Sequence, residues 1–455
     1  MKIMKFGGGC LKNDESFLRV AKIIASEKNR PFVVVSAIHS MTDLLLESVL
    51  NAQKSEKKIS EAIGNIKEKH RAIVEKTITD QAVRKEIYLK METAIEKVRK
   101  LLTGISYTGE ITPAVRSHVL SYGERLSALI LSGVLRSKSM DSVPIESDKI
   151  GMVTDKNLEN ATVILNEFRN NFRPAAQSLS NNKIIPVITG FFGCTSEGKI
   201  STFGRNGSDY SAAVIAFAAP ASELEIWKDV DGFMSADPKI VRTAHKIERL
   251  SYYEAAELSY FGAKILHPRT LEPLMGLDIS LWIKNLFDPE RRGTEILPEA
   301  HEKDDIIKSV TYNRGIAVIR IHGPGVGYKP GIIAQIGHLL SARGINIYSI
   351  LTSQTCINLL VDKKDVRSSY EALKEMKGGV IDEINLEKDV TLIAVVGEGL
   401  LKKKGLAARI FTAVSKENVN VEIISTGASE VASYFVVQQD DTEKVVNAVH
   451  REFLE

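Results

Sequence analysis

The first 36 residues restrict the fold more than any other stretch. Ile3 to Phe6 read as a short strand, Gly7, Gly8 and Gly9 as a turn, and the residues after Asn13 as a helix with Phe17, Val20, Ile23 and Ile24 facing inward. A second strand, Phe32 to Ser36, follows at a distance that suits a strand–helix–strand unit, and its unbroken apolar run fits a strand buried on both faces of a parallel sheet. Such a sheet is wound by helices. Further strands at 184–189, 223–227 and 279–283 extend it, and a helix begins at Thr112-Pro113, a cap followed by proline in the first helical position, running through Glu124 to about Arg136. Residues 54–103 are highly charged, yet Ile59, Ile63, Ile66 and Ile73 keep helical spacing, so they read as a helical insertion with a solvated surface. The α/β domain is expected to span 1–298, with the insertion at about 54–103.

After the charged segment 299–305 the pattern changes to strand, helix, strand, strand, helix, once from Gly315 to Leu386 and again from Val390 onward. Residues 317–325 parallel 391–399, and 342–347 parallel 416–421, an internal repeat of about 70 residues. Ferredoxin-like βαββαβ units fit that size. The second copy lacks its final strand, and a spare strand at 306–312 could supply it. The region 306–455 is therefore expected to hold two interlaced units, at about 313–388 and 389–455.

Composition excludes several classes. With 44% hydrophobic residues, a chain of 455 residues has ample material for real cores. Lys plus Arg outnumber Asp plus Glu by only 60 to 57, so no general field draws nucleic acid or a membrane surface. Any anion site must be local. Cys10, Cys194 and Cys356 are odd in number and widely spaced, which argues against a disulfide framework and a structural zinc site and fits a cytoplasmic protein. The first residues lack the apolar core of a signal peptide, and no run approaches the ~18 apolar residues of a membrane span.

Two stretches carry chemistry. In Lys5-Phe6-Gly7-Gly8-Gly9 the missing side chains let backbone N–H groups approach phosphate oxygens, with Lys5 placing positive charge beside them; a plain chain-reversing turn stays open on these residues alone. The P-loop and GxGxxG patterns are missing from any suitable strand-to-helix turn. At 202–213, ThrPheGlyArgAsnGlySerAspTyrSerAlaAla sets Arg205 against a helix start at Gly207 and Ser208, where free amides attract an anion. An ordinary cap, with Asp209 offsetting the helix dipole, is the alternative.

These segments, with Ser36-Ala37 and Thr42, TyrGlyGluArg at 122–125, AspValAspGlyPhe at 229–233 with Asp237-Pro238, and PheGlyAlaLysIleLeuHisPro at 261–268, resemble the aspartokinase family in order and spacing over the whole chain. The tail resembles that family's paired ACT regulatory domains. Residues 204–213 and 259–270 look most like the kinase half of bifunctional aspartokinase/homoserine dehydrogenases, without the dehydrogenase. The resemblance implies an amino-acid-kinase fold followed by two ACT domains. It also implies transfer of the ATP γ-phosphoryl group to the side-chain carboxylate of L-aspartate, opening lysine, threonine and methionine synthesis, with Mg²⁺ carried mainly on the ATP phosphates and no metal site of the protein's own. The alternative is a catalytically weak, aspartokinase-like amino-acid sensor or regulatory subunit.

By the same resemblance Arg205 suits the α-carboxylate of aspartate, assisted by Asn206, Gly207 and Ser208, while Glu124 accepts the α-ammonium and Thr42 holds another polar edge. Lys5 and Lys264 would stabilise the transferring phosphoryl group, with Gly7, Gly8 and Ser36 around the phosphates and Asp209 orienting Lys5. Segment 228–239 would line the nucleotide through Lys228, Asp229, Met234 and Lys239. The family usually has ThrSer where this chain has Gly9-Cys10, Thr at Lys228 and Tyr at Met234. His267 reads as structural and Cys10 as a small packed residue. An amino-acid effector, threonine first and lysine second, would bind in the tail near Gly325, Gly331, Thr352, Ser353 and Gln354. Paired ACT units imply a homodimer or homotetramer.

Overall fold

The computed structural model describes residues 1–299, 306–400 and 402–455. Most of the charged segment at 299–305 thus lies outside the described residues. The chain forms two compact units.

The first unit is built on an eight-stranded sheet in the order Ser142–Ile145, Ile185–Thr189, Phe32–Val35, Lys2–Phe6, Glu223–Lys228, Ser280–Asn285, Thr294–Leu297, Arg249–Ser251. Every pairing is parallel except that of Ser280–Asn285 with Thr294–Leu297. Phe32–Val35 is buried at every position, as its apolar run requires. The N-terminal strand lies in the middle, and the chain leaves it toward Phe32–Val35 on one side and returns on the other as Glu223–Lys228. Ligands of open α/β sheets bind beyond the carboxyl ends of strands at such a reversal. Here those ends deliver the glycine turn after Phe6, Ser36, and Lys228.

Local signals explain the helices. Asn13 and Ser16 form a capping box ahead of Asp14–Ser26, which buries Phe17, Val20, Ile23 and Ile24. The charged stretch forms two long helices, Glu56–Thr77 and Gln81–Thr108, the second capped by Asp80 through the Val83 amide at 2.9 Å. Ile59, Ile63, Ile66 and Ile73 are buried. Thr112 caps Pro113–Ser137. A small sheet of Val153–Thr154, Phe192–Thr195 and Ile200–Thr202, which no sequence signal pointed to, leads into the loop that carries Arg205.

The second unit holds two antiparallel four-stranded sheets, each with two helices. The first orders Ile347–Thr352, Cys356–Asp362, Ile316–His322, Glu383–Glu387; the second orders Ser309–Asn313, Val390–Val396, Ala432–Gln438, Ile423–Thr426. The spare strand pairs with the second repeat, from Ser309 opposite Val396 to Asn313 opposite Leu392. The two ferredoxin-like units are therefore interlaced. Met234–His245 also belongs to this unit: the Val310 amide donates to Ser235 O at 2.9 Å, and the Tyr312 hydroxyl donates to Asp237 at 2.8 Å.

Candidate active site

A cavity of about 380 Å³ opens beyond the carboxyl ends of the three central strands. Its base is the Gly8–Cys10 turn, which continues directly from the buried Lys2–Phe6 strand. A side chain at Gly9 would press on the Asp229 carboxylate, its Cβ only 3.2 Å from Oδ2. Cys10 is fully buried, its Sγ donates to Trp227 O at 3.2 Å, and burial pushes its thiol up to about 11 against the pull of Lys5. It stays a protonated packing residue.

The opposite wall comes from Pro113–Ser137. Glycine is needed at 123 because a Cβ there would stand 2.7 Å from Ala37 Cβ. That close approach sets Glu124 against the Ser36-Ala37 turn, where its Oε1 accepts from the Ala37 amide at 3.0 Å. Glu124 is 2% exposed and its Oε2 is buried without a partner among the described residues. Burial outweighs the Ala37 hydrogen bond and pushes this carboxyl up to about 8. It is a buried acid with one oxygen open to a cation.

The third wall is the start of the Gly207–Ala218 helix. Asn206 turns the chain in the left-handed region at φ 54° and caps no amide with its side chain. The Gly207 amide donates to Gly204 O and the Asp209 amide to Asn206 O, so Ser208 carries the open donor of this turn. The expected row of free amides is thus largely used within the loop. Nor does Asp209 serve the helix dipole alone. Fully enclosed, it pairs with Lys5 through Oδ1 and with Lys228 through Oδ2, the latter at 2.9 Å. Burial would raise its pKa, but the two lysines overcome this and hold it at about 2. One carboxylate facing two ammonium groups leaves one positive charge in excess.

Of the residues singled out from the sequence, Lys5, Gly7, Gly8, Ser36, Thr42 and Glu124 line this cavity, as do Arg205 to Asp209, Lys228 and Asp229. Arg205 is exposed. Three others are not brought to it. Lys264 is exposed elsewhere on the first unit, and Met234 and Lys239 lie in the second, drawn there by the hydrogen bonds from the Ser309–Asn313 strand. His267 caps the following turn, accepting from the Arg269 amide at 3.3 Å. Arg269 itself went unnoticed within its motif. Its guanidinium donates to Asn160 Oδ1 and Phe203 O at 3.0 and 3.2 Å and lies 4.4 Å from the Tyr210 ring centre, clamping the loop that carries Arg205. Asp43 and Phe191 also line the cavity with no sequence signal of their own.

In the second unit, Gly325 and Gly331 adopt positive φ, and Gly331 precedes the Ile332–Ser341 helix. The Gly327 amide donates to Gln354 O at 3.3 Å, which brings this loop beside the exposed Thr352, Ser353 and Gln354.

The amino acid kinase family model matches residues 1–285, and two ACT domain models match 311–375 and 393–453. The bifunctional aspartokinase/homoserine dehydrogenase of Buchnera aphidicola is 32% identical over 99% of this chain and 56% of its own. Aspartokinase 1 of Arabidopsis thaliana, a chloroplast protein, is 29% identical over 100% of this chain and 80% of its own. The chain spans about half the length of the bifunctional relatives it matches. Among solved structures, E. coli aspartokinase III in complex with aspartate and ADP superposes over 100% of both chains with a TM-score of 0.84 at 28% identity. Its complex with lysine and aspartate gives 0.83 at 27%, again over 100% of both chains.

Proposed function

The chain belongs to the aspartokinase family, and from that premise we propose that it phosphorylates the side-chain carboxylate of L-aspartate with ATP, giving 4-phospho-L-aspartate under feedback control by an amino acid. The observation that carries this reading is one cavity with a buried acid at one wall, Glu124, and an excess ammonium charge at another, on Lys5 and Lys228. The acceptor carboxylate, with pKa ~3.9, is already ionised at neutral pH and needs no base. The obstacle is bringing two anions together, which fixed cations and placement overcome. Glu124 Oε2 takes the α-ammonium, Arg205 takes the α-carboxylate at the mouth, and Thr42 holds a polar edge. The side-chain carboxylate then points toward the Gly7–Gly8 turn and Ser36, where the phosphates lie. Asp209 holds Lys5 and Lys228 in place to offset charge on the transferring group.

No cluster of three or more His, Cys, Asp or Glu able to hold a metal occurs among the described residues. Mg²⁺ would come in on the ATP phosphates and neutralise part of their charge when bound. Lys264, exposed in this structure, would have to reach the nucleotide by a movement of its loop. Product enters lysine, threonine and methionine synthesis in the cytoplasm, and ACT pairing makes a homodimer or homotetramer. Threonine is the first candidate effector because the kinase unit most resembles the bifunctional enzymes. Lysine is second, since E. coli aspartokinase III has been solved with it.

The test is to incubate the protein with MgATP and L-aspartate or L-glutamate, trap acyl phosphate with hydroxylamine and measure hydroxamate. Aspartate is expected to react and glutamate not to a comparable degree, because gripping both α-groups fixes the reach of the side chain. Equal yields would refute the assigned grip. No hydroxamate from any acid would favour the weak sensor, in which Cys10, turned to Trp227 O, gives the phosphates no hydroxyl.

A further inference from the structure

The first unit contains a second cavity of about 850 Å³, larger than the candidate active site and sharing no lining residue with it. Its floor is apolar, formed by Ala94 and Leu101 of the Gln81–Thr108 helix, Val115 and Leu129 of Pro113–Ser137, and Ile145 and Ile200. One side is aromatic. His118 and Tyr122, one helical turn apart, both face the cavity with ring centres 5.7 Å apart and planes within 15°. Burial and then the Arg125 charge lower the His118 pKa, which keeps this face uncharged at neutral pH.

The rim is cationic, with Lys90, Lys97, Lys100, Lys149 and Lys199 converging from separate segments. Lys90 is engaged by Glu86 at 2.7 Å and Lys199 by Glu197 at 2.8 Å. Lys97 and Lys100 have no partner among the described residues. Deeper in, the Arg125 side chain is only 8% exposed, paired with Glu146 at 2.5 Å and Asp148 at 3.1 Å and lying 5.6 Å from the Tyr122 ring centre. Lys149 lies 3.7 Å from Asp148, so six cations meet four carboxylates around an apolar, aromatic interior, and the uncompensated charge falls on Lys97 and Lys100. Small-molecule sites fall in this size range with this mixture of apolar walls and a few placed charges.

We propose that this cavity binds an organic anion with a flat aromatic body, its ring against His118 and Tyr122 and its anionic head between Lys97 and Lys100. The proposal is independent of the kinase reading. Its test is a fluorescence titration of the full chain with 1-anilinonaphthalene-8-sulfonate, beside Lys97→Glu/Lys100→Glu and Ala94→Phe variants. The charge reversals sit on exposed side chains, so they keep the test open if Ala94→Phe lowers the melting temperature. One saturable probe per chain is expected, bound at least about tenfold more weakly by the charge-reversed variant and not measurably by Ala94→Phe. Displacement by 1-naphthyl phosphate or 1-naphthoate is also expected, the more effective of the two identifying a phosphate or a carboxylate head. The proposal is overturned if the native chain binds no probe saturably, if neither competitor displaces it, or if either variant melts normally and binds as tightly as the native chain.

Discussion

With Glu124 assigned to the α-ammonium, the pH dependence of aspartate binding is moved from the acid range of an ordinary carboxylate up to about pH 8. The Glu124 carboxyl titrates at about 8, so at neutral pH it is mostly protonated and offers no charge to an ammonium group. Only the ionised form can hold the substrate's α-ammonium, so apparent affinity must rise with pH until the acid has titrated. With a midpoint of about 8, raising the pH from ~6.5 to ~8.5 should strengthen L-aspartate binding about 25-fold, and binding near pH 7 should release about 0.9 proton per aspartate. Isothermal titration with ADP present, in two buffers of different ionisation enthalpy, reads both quantities. Glu124→Gln keeps the shape and the acceptor for the Ala37 amide but cannot ionise. It should bind aspartate with a flat pH profile and, at ~pH 8.5, about 10- to 150-fold more weakly, the worth of a charge-assisted hydrogen bond. Stability moves the other way. A folded-state pKa above the unfolded value near 4.5 means that the native protein loses stability as pH rises from there to about 8, so Glu124→Gln should melt higher at ~pH 8.5 and unchanged near pH 4. A pH-independent affinity in the native chain, or the same slope in Glu124→Gln, would refute the assignment of Glu124 to the α-ammonium.

Three further outcomes are expected. Arg205→Ala should mainly weaken aspartate binding, by about 10- to 150-fold, while Lys5→Ala should mainly lower kcat; steady-state kinetics dividing the other way would mean the two sites are exchanged. Lys228→Thr should weaken MgATP about tenfold or more with little change in melting temperature, since Asp209 keeps Lys5 as its counter-ion; an unchanged nucleotide affinity would leave Lys228 a mere companion of Asp209. Threonine or lysine, titrated into the kinase assay, should change the aspartate KM by roughly 5- to 150-fold, and no response to either would make the C-terminal region structural.

What could be read in the sequence was what depends on near neighbours along the chain. Asn13 and Ser16, Asp80 and Val83, and Thr112 with Pro113 announce helix starts within four residues. The repeat and its spare strand were legible because the second copy visibly lacked a partner that residues 306–312 could provide. Glu124 was legible through its glycine neighbour and the family motif. What failed to show were the hydrogen bonds and ion pairs of particular side chains and amides, which the pattern of residue types does not specify. Asp237 looks like part of a nucleotide loop until the Tyr312 hydroxyl, 75 residues away, takes its carboxylate and draws Met234 and Lys239 into the second unit. The amides at 207–209 look free until Gly204 O and Asn206 O accept two of them. Lys228 is the most telling case. As a letter in the sequence it is only a replacement for the family's threonine, exposed to doubt about nucleotide use. Placed at 2.9 Å from a buried carboxylate already neutralised by Lys5, it changes the charge of this trio from balanced to positive, in the cavity proposed to bring ATP to aspartate. The neighbouring Gly8–Cys10 turn lacks the two hydroxyls that the resemblance to the family leads one to expect at positions 9 and 10. A cation gained opposite donors lost is a coherent exchange for the proposed phosphate site, because the Lys228 ammonium, with one N–H given to Asp209, keeps two donors where two neutral hydroxyls are missing.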